Sequence, residues 1–227
     1  MEAVRIDIQA YTASFRVPGM MGYQVTAPVP PPATIYGLLA AAAGREIPPG
    51  ETWVAYRFAY DAQAEDLETI IIYEQGGPVW VKSQYAPKTN VVNRQFLFGA
   101  RLALYLAPGA VADAFLRPRF PLLLGRSQDV ATVTAHRRAT LELMQEADVS
   151  GILLPFPVQD RRLRSRVMSF PTFYGVAPER TPLAVKPFHV LDSLQGTQPV
   201  SVPDLLYREA EESLAVPLFD ERILRRP

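Results

Sequence analysis

The stretch YQVTAPVPPPATIYGLLAAAAG, residues 23–44, sets three consecutive prolines directly before an apolar run of small residues. Pro30, Pro31 and Pro32 hold φ near about −65°, so the chain leaves its loop along a stiff path. A proline in a helix's first turn loses nothing, because its missing N–H would have had no intrahelical partner. Leu38, Leu39 and Ala40 to Ala43 favour helix, and Gly44 is placed to end it in a left-handed conformation. The spacing predicts a helix starting near Pro32 and stopping at Gly44. Its small residues, Gly37 among them, allow close approach to a sheet. An apolar helix of this kind is scaffold, and Leu38 and Leu39 are not expected to touch a ligand.

Upstream, VRIDIQAYTASF (4–15) alternates apolar Val4, Ile6 and Ile8 with polar Arg5, Asp7 and Gln9, the period of a half-buried strand. Downstream, TWVAYRFAY (52–60) and LETIIIYEQ (67–75) read as strands. GGPVWVKSQYAPKTNVVNRQ (76–95) carries a Gly-Gly-Pro break, alternating valines and a central APKTN turn signal, and predicts a protruding hairpin over about 76–98. FLFGARLALYLAP (96–108) reads as a buried strand, and GAVADAFLRPRF (109–120) as a short helix stopped at Pro118. Strand, helix, strand, strand, helix, strand is the rhythm of a ferredoxin-like, RRM-like α+β domain, expected over residues 1–120. Residues 121–227 are proline-punctuated and strand-like, and predict a smaller, mostly β C-terminal region in which DLLYREAEESL (204–214) has a helical look.

The composition, 227 residues that are 48% hydrophobic and 20% charged, suits a globular chain with a substantial core. With no cysteine, neither disulfides nor thiolate chemistry can operate. No apolar run reaches the roughly 20 residues that span a bilayer, and no leader-like segment follows Met1, so a cytoplasmic protein is expected. The formal net charge of zero hides an asymmetry. Residues 45–75 hold seven acids against two bases, whereas residues 76–138 hold nine bases against Asp113 and Asp129. Twenty of the 23 bases are arginine, whose planar guanidinium grips phosphate bidentately and stacks on nucleobases.

Catalytic and nucleotide-triphosphate motifs are missing. There is no GxxxxGK[ST] loop, no HExxH and no DxDxDG spacing, so no cofactor or metal is expected. The two histidines are His136, in AHRR beside Arg137 and Arg138, where all three suit phosphate contact, and His189, in the apolar strand-like KPFHVLD, where packing in the core is expected. In LLLGRSQD (122–129), Gly125 permits close backbone approach while Arg126 and Ser127 offer a fork and a hydroxyl. The turn is either a phosphate cradle or a capped tight turn. QDRRLRSRV places Arg162, Arg164 and Arg166 on one face of an expected strand, where three like charges invite an anion. In the hairpin, Trp80, Lys82, Tyr85 and Lys88 interleave aromatic and basic groups, the composition that binds single-stranded nucleic acid.

YQVTAPVPPPATIYGLLAAAAG, with SFRVP upstream and LLLGRSQD downstream, resembles CRISPR-associated protein family five (Cas five), of the RAMP superfamily, over about residues 4–135. The resemblance implies a non-catalytic subunit of a type I CRISPR surveillance complex, Cascade. Such a subunit binds the repeat-derived 5′ handle of the guide crRNA, caps that end of the filament, and kinks the RNA with a thumb-like hairpin. Its implied partners are the backbone subunit (Cas seven), the large subunit (Cas eight) and, through the complex, target DNA. Carried onto this chain, the thumb falls at about 76–98 and the handle-binding turn at Gly125, Arg126 and Ser127, with Arg16 and Arg94 joining the basic residues named above. One branch of the family cleaves the precursor repeat. Its tyrosine, lysine and histidine cluster has no counterpart here, so an endoribonuclease is the alternative reading.

Overall fold

In the computed structural model, which describes residues 1–17, 22–72, 88–175 and 181–225, the predicted first strand and helix are both present. Along the chain come β1 (Glu2–Ala13), β2 (Tyr23–Gln24), α1 (Pro32–Ala43), β3 (Val54–Ala59), β4 (Ala62–Ile72), β5 (Lys88–Leu106) and α2 (Ala110–Asp113). A 3-10 turn (Ala114–Leu116), β6 (Leu122–Leu123), β7 (Val130–Val149), β8 (Ile152–Pro155), β9 (Arg166–Tyr174), β10 (Pro182–Leu191) and a second 3-10 turn (Ser193–Gln195) follow. The chain then forms β11 (Gln198–Glu209), β12 (Val216–Phe219) and α3 (Glu221–Arg225).

α1 begins and ends where the prolines and Gly44 direct. Pro31 caps it, Pro32 is its first residue, and Gly44 closes it at φ 72° with its N–H donating to the Ala40 carbonyl. One face buries Ile35, Leu38 and Leu39, each contributing about 2 kcal/mol of transfer free energy. That face lies on a sheet in which β1 pairs antiparallel with β5 on one side and β7 on the other, while β3 pairs with the far edge of β5. The order β7-β1-β5-β3 has α1 in the connection from β1 to β3, and α2 in the connection from β5 to β7.

The sheet does not stop near residue 120. β7 runs past β1 and pairs its second half with β11; β11 pairs with β12, and β12 with β3, so the path of strands returns on itself. DLLYREAEESL is therefore not a helix. Leu206 and Tyr207 pair with both β7 and β12, and strand pairing on two sides overrides the helical preference of the glutamates and leucines. The three-stranded sheet β8-β10-β9 packs on the same core as α1, where Phe170 and Phe188 are buried with Ile35 and Leu39.

The second face of the ring is lined by small residues, Ala3, Ala55, Ala103 and Ala139, and by an ionic network. Arg5 donates to Glu209 at 2.9 Å and to Asp7 at 2.9 Å, Arg57 donates to Glu212 at 2.9 Å, and Tyr105 donates its hydroxyl to Glu209 at 3.0 Å. Arg137 also bonds Glu209, which is only 4% exposed. Off the main path of the sheet, β4 and β5 form an antiparallel ribbon in unbroken register from Ala62↔Phe98 to Ile72↔Lys88, with the short β2 pairing in parallel with the other side of β5 at Asn93 and Arg94. The expected APKTN turn is corrected by that register, because Lys88, Thr89 and Asn90 lie within β5 and pair with Ile72, Ile71 and Ile70. Among the described residues no helix is long and apolar enough to cross a membrane.

Candidate nucleic-acid interface

A cleft of about 260 Å³ opens where the segment after β1, the start of α1, the ribbon, the turn after β6 and the end of β9 meet. Its walls include Arg16, Pro31, Thr34, Arg94, Gly125, Arg126, Pro171 and Tyr174. Four of the sequence-predicted residues, Arg16, Arg94, Gly125 and Arg126, are thus brought together from three separate segments. The helix start, read from the sequence as scaffold before site, also lends Pro31, Ala33 and Thr34 to the wall of this cleft, while Leu38 and Leu39 do not line it.

The turn at 125–129 is built around Asp129. This carboxylate is fully buried, and accepts from the Arg126 backbone N–H at 2.9 Å, from Arg126 Nε at 3.0 Å and Nη2 at 2.9 Å, and from the Thr12 hydroxyl at 2.6 Å. The Arg126 guanidinium also lies over the Phe96 ring, 5.4 Å from its centroid. Bonding to Asp129 raises the Arg126 pKa above its ordinary value, with Glu68 and Asp66 adding to the effect against the lowering by burial. Asp129 takes the Nε–H and an Nη2–H of Arg126, so this guanidinium, 9% exposed, has its charge already countered and meets a phosphate less readily than an unpaired arginine does. Its role is to hold the turn. Gly125 adopts φ 116°, and a Cβ there would lie 2.0 Å from the Ser14 carbonyl oxygen, so only glycine lets the turn press against the end of β1.

Arg94 faces Glu68 on the neighbouring strand of the ribbon. Arg16 is exposed and makes no ion pair among the described residues. Ser127 is exposed on the turn and does not line the cleft.

The remaining predicted residues lie elsewhere. His136 donates Nε2–H to the Ala112 carbonyl at 3.1 Å, fastening β7 to α2. Arg137 belongs to the ionic network on the opposite face, and Arg138, exposed, shares its side of β7 with His136. Arg162 and Arg164 precede β9 and do not stand in a strand, which corrects the single arginine face. Arg162 is taken by Asp160 and Glu146, and the backbone of Arg164 exchanges hydrogen bonds of 2.9 Å with the Gln198 side chain. Arg162, with the Ser201 and Arg162 backbone N–H groups, holds the Asp160 carboxyl well below the usual range. Trp80, Lys82 and Tyr85, and the side chain of Lys88, lie outside the described residues.

His189 is half-buried, not packed in the core. Its Nε2 accepts from the Val158 N–H at 3.3 Å, so the neutral ring carries its proton on Nδ1, which donates to the Ser165 hydroxyl at 2.8 Å. Burial lowers its pKa and favours that neutral ring. In this tautomer His189 cannot take the Ser165 proton, and the pair ties a loop down. Sequence reasoning missed Tyr174, which no local pattern marks; it reaches the cleft only through the packing of β9 beside α1.

The family described as CRISPR-associated protein (Cas_Cas5) matches residues 3–152. No curated protein matches the sequence. Among solved structures, the chain is similar to one in a CRISPR RNA-guided surveillance complex, at 20% identity and TM-score 0.49 over 89% of this chain and 91% of that one. It is similar to a CRISPR protein from Archaeoglobus fulgidus, at 12% identity and TM-score 0.51 over 97% and 100%. A third likeness is to a chain of the Type III-B Cmr-beta complex bound to cognate target RNA and AMPPnP, at 9% identity and TM-score 0.50 over 85% of each chain. At such identities the second and third likenesses are ones of fold.

Proposed function

The chain belongs to the CRISPR-associated protein (Cas_Cas5) family, and from that premise we propose that it is a non-catalytic subunit of an RNA-guided CRISPR surveillance complex that binds the 5′ handle of the guide RNA. The observation that carries the reading is the cleft, which gathers Arg16, Arg94, Gly125 and Arg126 around one concavity. Arg16, exposed and without an ion pair among the described residues, is the arginine of this concavity suited to a phosphodiester chain. The strand order β7-β1-β5-β3, with a helix after the first and third strands, supports a ferredoxin-like reading of this part of the fold. The β4–β5 ribbon is the candidate thumb, and the Cascade backbone and large subunits are the candidate neighbours.

Two observations favour binding over cleavage. Both histidines are engaged in hydrogen bonds that fix neighbouring elements, and neither lines the cleft. The test is a titration of the purified chain with 5′-handle RNA across salt concentrations, with the RNA recovered afterwards on a gel. Binding that weakens as salt rises, with intact RNA, is expected. Specific cleavage of a repeat hairpin, lost on His136→Ala, would overturn it in favour of the endoribonuclease.

A further inference from the structure

Of the three arginines lining the cleft, Arg126 is held by Asp129 and Arg94 by Glu68. Among the described residues, Arg16 is the cation of the cleft left to meet an anion. Tyr174, which ends β9 with 42% of its surface exposed, lines the same cleft, together with Pro31 and Pro171. A half-exposed aromatic and a guanidinium without an ion pair among the described residues, in one concave site, are the groups that hold an unstacked base and its phosphate. A duplex presents no base face to such a ring, and an apolar peptide would leave Arg16 without a counter-charge. Resting on the RNA-binding reading above, we infer that the cleft takes one unpaired nucleotide, its base against the Tyr174 ring and its phosphate on Arg16.

The experiment uses the full chain and a set of 5′-handle RNAs, each with one base removed to leave an abasic sugar. One abasic position weakens binding to the unchanged protein by at least about fivefold, the size of one lost stacking contact. Tyr174→Ala weakens binding of intact RNA by a similar factor and does not weaken that abasic RNA further, while Tyr174→Phe binds as the unchanged chain does. Arg16→Ala weakens intact and abasic RNA alike and makes the salt dependence shallower by about one phosphate contact. If the unchanged chain binds no handle RNA, the RNA-binding reading falls and this inference with it. If it binds, but no abasic position matters or Tyr174→Ala acts equally on every RNA, the inference alone falls.

Discussion

Arg126 is 9% exposed and Asp129 is fully buried, so each ion is stabilised chiefly by the other. Removing one member of such a pair leaves an uncompensated charge in the interior, at a cost of about 3–5 kcal/mol. Arg126→Ala and Asp129→Asn are each expected to destabilise by about that amount in urea unfolding. Because they break the same contact, the double variant should lose far less than the sum. Additive losses would show that Arg126 has a role apart from Asp129. The residue scale also separates look-alike arginines. Arg16, Arg126 and Arg162 are the same side chain in the sequence, yet one is exposed without an ion pair among the described residues, one is locked to a buried carboxylate, and one is shared between Asp160 and Glu146.

At the scale of elements, β11 is tied across the sheet by Glu209, which bonds Arg5 from β1, Tyr105 from β5 and Arg137 from β7. Burial pushes the Glu209 carboxyl up, but hydrogen bonds from Arg137, Arg5 and Tyr105 outweigh it and bring the pKa below the ordinary 4.5. In the unfolded chain this glutamate takes up its proton near 4.5, while in the fold it stays ionised to lower pH. Its contribution is therefore present above about 4.5 and lost as pH falls through the lowered value. Glu209→Gln is expected to destabilise by about 2 kcal/mol at pH 7, from lost charge-assisted bonds, and by progressively less as pH falls below 4.5. Urea midpoints of both proteins across pH measure this, and a penalty independent of pH would refute it.

Across the whole molecule, β11 and β12 complete the sheet that β1, β3 and β5 begin, and Phe170 and Phe188 of the smaller sheet share the core of α1. The chain should unfold in one cooperative step, with far-ultraviolet and near-ultraviolet dichroism coinciding on heating. Two separated transitions would show instead that residues 121–227 fold as an independent domain. This is the scale at which sequence patterns lose force. The boundary expected near residue 120 rested on a change of local rhythm, but pairing of β7 with both β1 and β11 is a long-range event that no local period records.

The sequence by itself determined the elements whose cause is local. Alternation of Val4, Ile6 and Ile8 set the first strand's buried face, and backbone restriction at Pro31 and Pro32 with left-handed freedom at Gly44 set both ends of α1. It also marked Arg16, Arg94, Gly125 and Arg126 as residues of interest. Only the tertiary structure decided what each of them does, because a guanidinium's availability depends on which carboxylate lies within reach. Asp129 claims Arg126, Glu68 faces Arg94, and Arg16 is left to the cleft. The proline-led start of α1 changed meaning for the same reason. Its local chemistry describes a helix start, while its place beside Tyr174, which packing alone brings there, makes it a wall of the candidate site.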